Sequence, residues 1–211
     1  GSILRKQNIL WNSIPSPTTN QINGIDILNP NIGFAVGNNG VIMKWDGSAW
    51  TTMTSPVTTN LNGVDVYNQT LALAVGASGK VLKWNGNTWS VIATIINSPT
   101  LNDVSINSNS LIFIAGFRSS RGRIYKSTNG GSSWAEDYNT NYNLRSVSIA
   151  TSSLAFAVGN NGQIIRWTGV WSIMSSPTTF NLYSVKAYNS TFAQAVGGGI
   201  GVATVVTYKG S

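Results

Sequence analysis

The stretch "FRSSRGR", Phe117 to Arg123, holds Arg118, Arg121 and Arg123, three of the six arginines in the chain, with Lys126 close behind. Planar guanidinium groups grip carboxylates and phosphates through two parallel hydrogen bonds, so this cluster suits an anionic partner. Carboxylates are scarce. Asp26 and Asp65 fall at matching places in two similar segments, "INGIDI" and "LNGVDV", and Asp103 sits two residues earlier in a third, "LNDVSI". Glycoside hydrolysis needs two carboxyl groups whose environments separate their pKa values, and equivalent environments do not do that. "KWDGSAW" and "KWNGNTW", Lys44–Trp50 and Lys83–Trp89, each set two tryptophans around a tight turn, which fits either a sugar-stacking platform or a scaffold. The chain has no histidine and no cysteine. Imidazole triads, thiol nucleophiles, disulfides and zinc sites built on those side chains are therefore excluded, and no metal or cofactor is expected.

The elements that would position these residues emerge from self-similarity. Segments opening at Ile22, Leu61, Leu101, Leu144 and Leu182 repeat at steps of 39, 40, 43 and 38 residues. Each continues into a small-residue strand ("FAVG", "LAVG", "FIAG", "FAVG", "QAVG"), a hairpin turn and a third strand such as "VIMKW" or "QIIRW". Trp50, Trp89, Trp134 and Trp171 then open a fourth strand 11, 12, 10 and 11 residues before the next repeat, and Trp11 stands 11 residues before Ile22. Four strands per unit of about 40 residues is the period of a β-propeller blade.

The expected fold is an all-β, five-bladed β-propeller of four antiparallel strands per blade. The ring is closed by an N-terminal strand near 9–15 that completes the last blade, 182–209. One domain spans 1–211, with the other blades near 22–56, 61–97, 101–139 and 144–177. The tryptophans occupy two repeat positions: Trp11, Trp50, Trp89, Trp134 and Trp171 open the outer strand, while Trp45, Trp84 and Trp167 end the third. Recurrence in blade after blade favours packing between neighbouring blades over ligand binding.

"STNGGSSW", Ser127–Trp134, resembles the Asp-box of bacterial neuraminidase (BNR) repeats, with Asn129 in place of the Asp. "AVGNNGVIMKWDG" resembles the repeat of photosystem II stability and assembly factor propellers. The resemblance is close only in the third blade. It implies a propeller fold and leaves function open, because that box is a structural turn.

Antiparallel topology puts the hairpins between strands two and three, Asn38-Asn39 and Asn160-Asn161 among them, on one face with the connections "SPTTN", "SPVTTN" and "SPTTFN". Ligands of propellers favour that face by analogy, and the Thr and Asn groups there could hydrogen-bond a glycan. The net charge of +7 comes from six acids against thirteen bases. Lys44, Lys83, Lys126 and Arg166 recur at one repeat position, which reads as scaffold rather than a nucleic-acid surface. No apolar run approaches the roughly 20 residues that span a bilayer. Low charge, abundant Asn, Ser and Thr, and two sequons, Asn68 and Asn189, point to an extracellular or cell-surface protein, prokaryotic or viral.

The function expected is non-catalytic recognition or scaffolding by a monomer that binds a protein partner through its loop face. A multivalent lectin is the alternative, and a five-bladed glycoside hydrolase comes last. The site expected is an expanded, arginine-rich hairpin in the third blade that docks an anionic segment or sugar acid.

Overall fold

The computed structural model describes residues 3–7 and 10–210, with only the backbone course at 4–7 and 10–12. The repeats form the expected five-bladed β-propeller. An N-terminal hairpin, β1 (Ile3–Gln7) and β2 (Leu10–Ile14), precedes the first blade, which consists of β3 (Ile22–Asn29), β4 (Ile32–Gly37), β5 (Ile42–Trp45) and β6 (Trp50–Thr52). The second blade is β7 (Leu61–Asn68), β8 (Leu71–Gly76), β9 (Lys80–Trp84) and β10 (Trp89–Thr94). The third is β11 (Thr100–Ser108), β12 (Leu111–Arg118), β13 (Arg121–Ser127) and β14 (Ala135–Thr140). The fourth is β15 (Leu144–Thr151), β16 (Leu154–Gly159), β17 (Ile164–Trp167) and β18 (Trp171–Ile173). The fifth is β19 (Asn181–Asn189), β20 (Phe192–Gly199) and β21 (Val202–Lys209).

Each strand pairs with its sequence neighbour, so every blade is an antiparallel meander. In the first four blades the second strand is largely buried on both faces, because each is covered on both sides, the first by the N-terminal hairpin and the second blade, the others by the blades before and after. At the first seam Phe34, Val36 and Ile42 pack against Leu61, Val64, Val66, Trp84 and Trp89 of the next blade, and the three later seams repeat this arrangement. Near the axis the inner strands approach closely. A Cβ on Gly63 would lie 2.8 Å from the Asp103 Cα, so the Asn-Gly pairs of the first two repeats are a packing requirement.

Six tryptophans, Trp45, Trp50, Trp84, Trp89, Trp167 and Trp171, are 1–7% exposed, and Trp134 is half-buried. They lie in the seams, as the packing expectation requires, and burial removes them from any sugar-stacking surface. The Trp11 side chain lies outside the described residues. The Asp-Gly turn is held by its own carboxylate: Asp46 accepts from the N–H groups of Ser48 and Ala49, Gly47 takes φ 101°, and these bonds lower the Asp46 pKa to about 2.

The pairing of the N-terminal strand corrects the sequence expectation. Leu10–Ile14 does not complete the fifth blade. It pairs with β1, Lys6 opposite Trp11, and among the described residues the fifth sheet has three strands. The reason lies in Ile3–Gln7, which is itself a third-strand sequence. Arg5 stands at the recurrent basic position, and Lys6 stands where Trp45 faces Trp50. A strand joined to its partner by two residues loses far less chain entropy on pairing than one at the other end of the molecule. Ile3 and Ile14 cover Ala35, Met43, Trp45 and Trp50 as the outer half of a preceding blade would.

Candidate functional site

Two polar features of the sequence prove to be joinery. Asp26 accepts from the Val66 N–H, Asp65 from the Ile106 N–H, Ser105 from Ile149 and Ser148 from Ala187, so one position in each of the first four inner strands clamps the next blade. Asp103 does the same one layer away, accepting from Ser146 Oγ and the Val147 N–H. Burial, reinforced by the Asp26 charge, raises the Asp65 pKa to about 7, and burial alone raises Asp103 to about 6. These carboxyl groups hold the blades together around the axis.

The loop face is likewise occupied with itself. Ser16, Ser55 and Ser176 each bond the carbonyl two residues on. Asn39 and Asn161 take left-handed φ of 58° in their turns, and their N–H groups donate to Asn60 and Asn181. Asn38 accepts from Asn23, and Asn160 from Arg145. The recurrent bases lie along the seams: Lys44 sits 5.2 Å from the Trp84 ring centroid, Lys126 lies 5.4 Å from that of Trp167, and Lys83 donates to the Gly130 carbonyl. Lys126 thus faces the fourth blade, apart from the arginines.

The third blade breaks the repeat, but not as an expanded loop. Where the first, second and fourth blades turn at the Val-Gly end of strand two, β12 and β13 stay paired through Gly116–Arg123, Phe117–Gly122 and Arg118–Arg121, as β20 and β21 do through Gly199–Val202. A two-residue turn closes them, Ser119 and Ser120 at φ 50° and 62°, the tight geometry that suits a twisted hairpin. The expected loop is therefore a strand extension. Its two-residue period places Arg121, Arg123 and Tyr125 on one side, toward the second blade, with Arg118 opposite Arg121.

That alternation assembles a site. Arg123 is 8% exposed, its Nε 3.1 Å from Glu136 Oε1, which corrects its expected place in a solvent-facing patch. Arg118 is part-exposed, 3.9 Å from the other Glu136 oxygen. Arg121 is exposed. Tyr125 is 3% exposed, and its hydroxyl has no hydrogen-bond partner. Burial and then the Glu136 charge raise its pKa. Arg118, Tyr125 and Glu136, together with Ala93, Ile95, Ile96 and Trp134, line a crevice of about 260 Å³ between the second and third blades. Two guanidinium groups meet one carboxylate, so the crevice keeps one uncompensated positive charge. Its second-blade wall is also irregular: Asn97 and Ser98 take φ of 63° and 47°, and Ile96 is 79% exposed.

Tyr125 and Glu136 went unread in the sequence, although a repeat alignment carries the signal. Tyr125 stands where other blades have Met43, Leu82 and Ile165, and its partner Glu136 stands where they have Thr52, Val91 and Ile173. Among the described residues, no cluster of acids fits a metal ion.

No protein-family model matches the sequence, and no curated protein matches it. Similarity appears among solved structures. YCF48 bound to D1 peptide is 19% identical with a TM-score of 0.66, covering 87% of this chain, which spans 64% of the length of that one. YCF48 from Cyanidioschyzon merolae is 17% identical with a TM-score of 0.70 over 99% of this chain and 76% of that one. A nidogen/laminin complex is 10% identical at 0.71 over 98% and 89%. At these identities the likeness establishes the β-propeller fold, shared with the assembly-factor propellers that the sequence resembles, and nothing finer.

Proposed function

We propose that the chain is a non-catalytic recognition propeller that holds an acidic segment of a protein partner at the seam of its second and third blades. The observation that carries the reading is the crevice beside Arg118. A part-exposed guanidinium, an unpaired phenol hydroxyl and an apolar wall converge there, in a blade whose second hairpin departs from the repeat. A segment carrying Asp or Glu next to an apolar side chain supplies what is missing. The carboxylate meets Arg118, a polar atom meets the Tyr125 hydroxyl, and the apolar group covers Ile96 and Trp134. Support of a general kind comes from the similar propeller that carries a bound peptide.

The test is a peptide array of acidic sequences beside neutral and basic ones of equal hydropathy. Acidic peptides should be captured, with binding that weakens as salt rises and in Arg118→Ala. Capture indifferent to peptide charge and untouched by that substitution would sink the reading.

A further inference from the structure

The fifth blade has a bare edge. β21 pairs with β20 along eight residues, from Gly199–Val202 to Phe192–Lys209, and carries no strand on its other side among the described residues. A row of unpaired N–H and C=O groups is a template for another strand. Beside it, between the fourth and fifth blades, lies an apolar crevice of about 170 Å³ whose walls include Phe156, Ile164, Val185, Ala193, Val206 and Tyr208. In the first and third seams the equivalent space is filled. Phe34 meets Trp84 and Trp89 at 5.1 and 5.0 Å, and Phe113 meets Trp167 and Trp171 at 5.3 and 5.0 Å. Phe156 meets Tyr208 at 4.8 Å and lacks the second ring, the one that opens a fourth strand.

Two exposed faces fit the same occupant. Ile25 and Ile27 are 52% and 45% exposed, although their equivalents Val64 and Val66 are buried against the preceding blade. Val196 and Val205 are 46% and 64% exposed, although their equivalents Val36 and Ile42 are buried against the following one. These are the two sides of one inter-blade seam, left apart. The strand with the register of a fourth strand, Leu10–Ile14, lies on the first blade, where Ile14 packs with Trp45 and Trp50.

We propose that the β21 edge of one copy of the chain takes the strand Leu10–Ile14 of a second copy as its fourth strand, displacing Ile3–Gln7. The fifth blade of one copy then stacks on the first blade of the next, departing from the monomer expected from the sequence. A second copy is the occupant because, within one chain, both faces of the seam are left to solvent. Ile3–Gln7 and Val202–Lys209 are both third strands, and they compete for one fourth strand. Exchanging one for the other trades five residue pairs for a similar number, so its net cost is small. It also replaces Lys6 with Tyr208 at the place where Trp45 faces Trp50. Lys186 and Gln194 set the limit. They stand where other blades have the clamping acceptor and a buried Phe or Leu, so this seam is weaker than the internal four.

The chain has no cysteine, which makes the test direct. Asn12 and Thr207 fall at the places of Thr51 and Lys44, which face each other in the first blade. Opposed residues in antiparallel strands have Cα atoms about 4.5–5.5 Å apart, within the span of a disulfide. The double variant Asn12→Cys, Thr207→Cys, oxidised at high protein concentration, should give disulfide-linked dimers and longer head-to-tail species that reductant dissolves. Each single variant should stay largely monomeric, and adding Val205→Lys should lower the yield of linked species. A cross-link confined within monomers would show that the chain closes on itself and overturn the proposal. Absence of any cross-link, or equal cross-linking by the single variants, would overturn it as well.

Discussion

The seam between the first and second blades and the seam between the second and third are built to one plan and finished differently. In the first, Phe34 is gripped by two tryptophans, and the second blade's outer strand sets Val91 opposite Leu82 and Ala93 opposite Val81. In the second, the third strand carries Arg123 and Tyr125, the outer strand answers with Glu136, and a crevice of about 260 Å³ stays open. Polar groups at a packing position cost stability unless each finds a partner, and the Tyr125 hydroxyl does not. The regular seam is what stacking requires. The irregular one departs from stacking where a ligand would compensate it.

The largest effect that tests this contrast is expected at the regular seam. Trp84→Ala should cost about 3–5 kcal/mol, since it opens a cavity against Phe34 and strips the Gln69 carbonyl of its donor. A denaturant titration showing less than about 1 kcal/mol would mean that the tryptophans do not carry the seam. The inner end of the irregular seam should respond to pH. Asp65 is raised from 3.8 to about 7, so the folded state holds its proton more tightly than the unfolded chain, and stability should fall as pH rises from about 4 to about 7, then level off. Asp65→Asn keeps an acceptor for the Ile106 N–H and should flatten this slope in melting curves. Asp26 and Asp103 remain as its charged neighbours.

Smaller changes are expected at the crevice itself. Glu136→Gln leaves the Arg123 guanidinium buried without its counter-charge, a loss of about 1–2 kcal/mol given that Glu136 is itself about a third exposed. Tyr125→Phe should be neutral or stabilising by up to about 1 kcal/mol, because it removes an unpaired buried hydroxyl, while weakening peptide capture. A clear loss of stability would show that the hydroxyl has a structural partner. Arg118→Ala should move the melting curve least, within about 0.5 kcal/mol, yet reduce acidic-peptide binding most.

Legibility differed along the chain in the same way. The five repeats, the turn glycines and the seam role of the tryptophans could be read from spacing, because a repeated packing problem forces a repeated answer. The arginines of "FRSSRGR" were visible as a departure, but not their arrangement. Whether Arg118 to Arg121 was a loop or a turn depended on how far β12 and β13 stay paired, and Ser119 and Ser120 give no glycine signal for the left-handed turn they adopt. Glu136 lies thirteen residues beyond Arg123 and reaches it only through the pairing of β13 with β14.

By itself the sequence determined the blade: its four-strand period, its order of elements and the residues that face a neighbour, since these follow from local alternation and from turns a few residues long. Only the tertiary structure decided which arginine is buried, which carboxylate it meets, and that Leu10–Ile14 pairs with its own neighbour rather than with the fifth blade. Those outcomes are competitions between partners far apart in the chain. Desolvation, pairing geometry and loop-closure entropy settle them, and no stretch of residues carries all three.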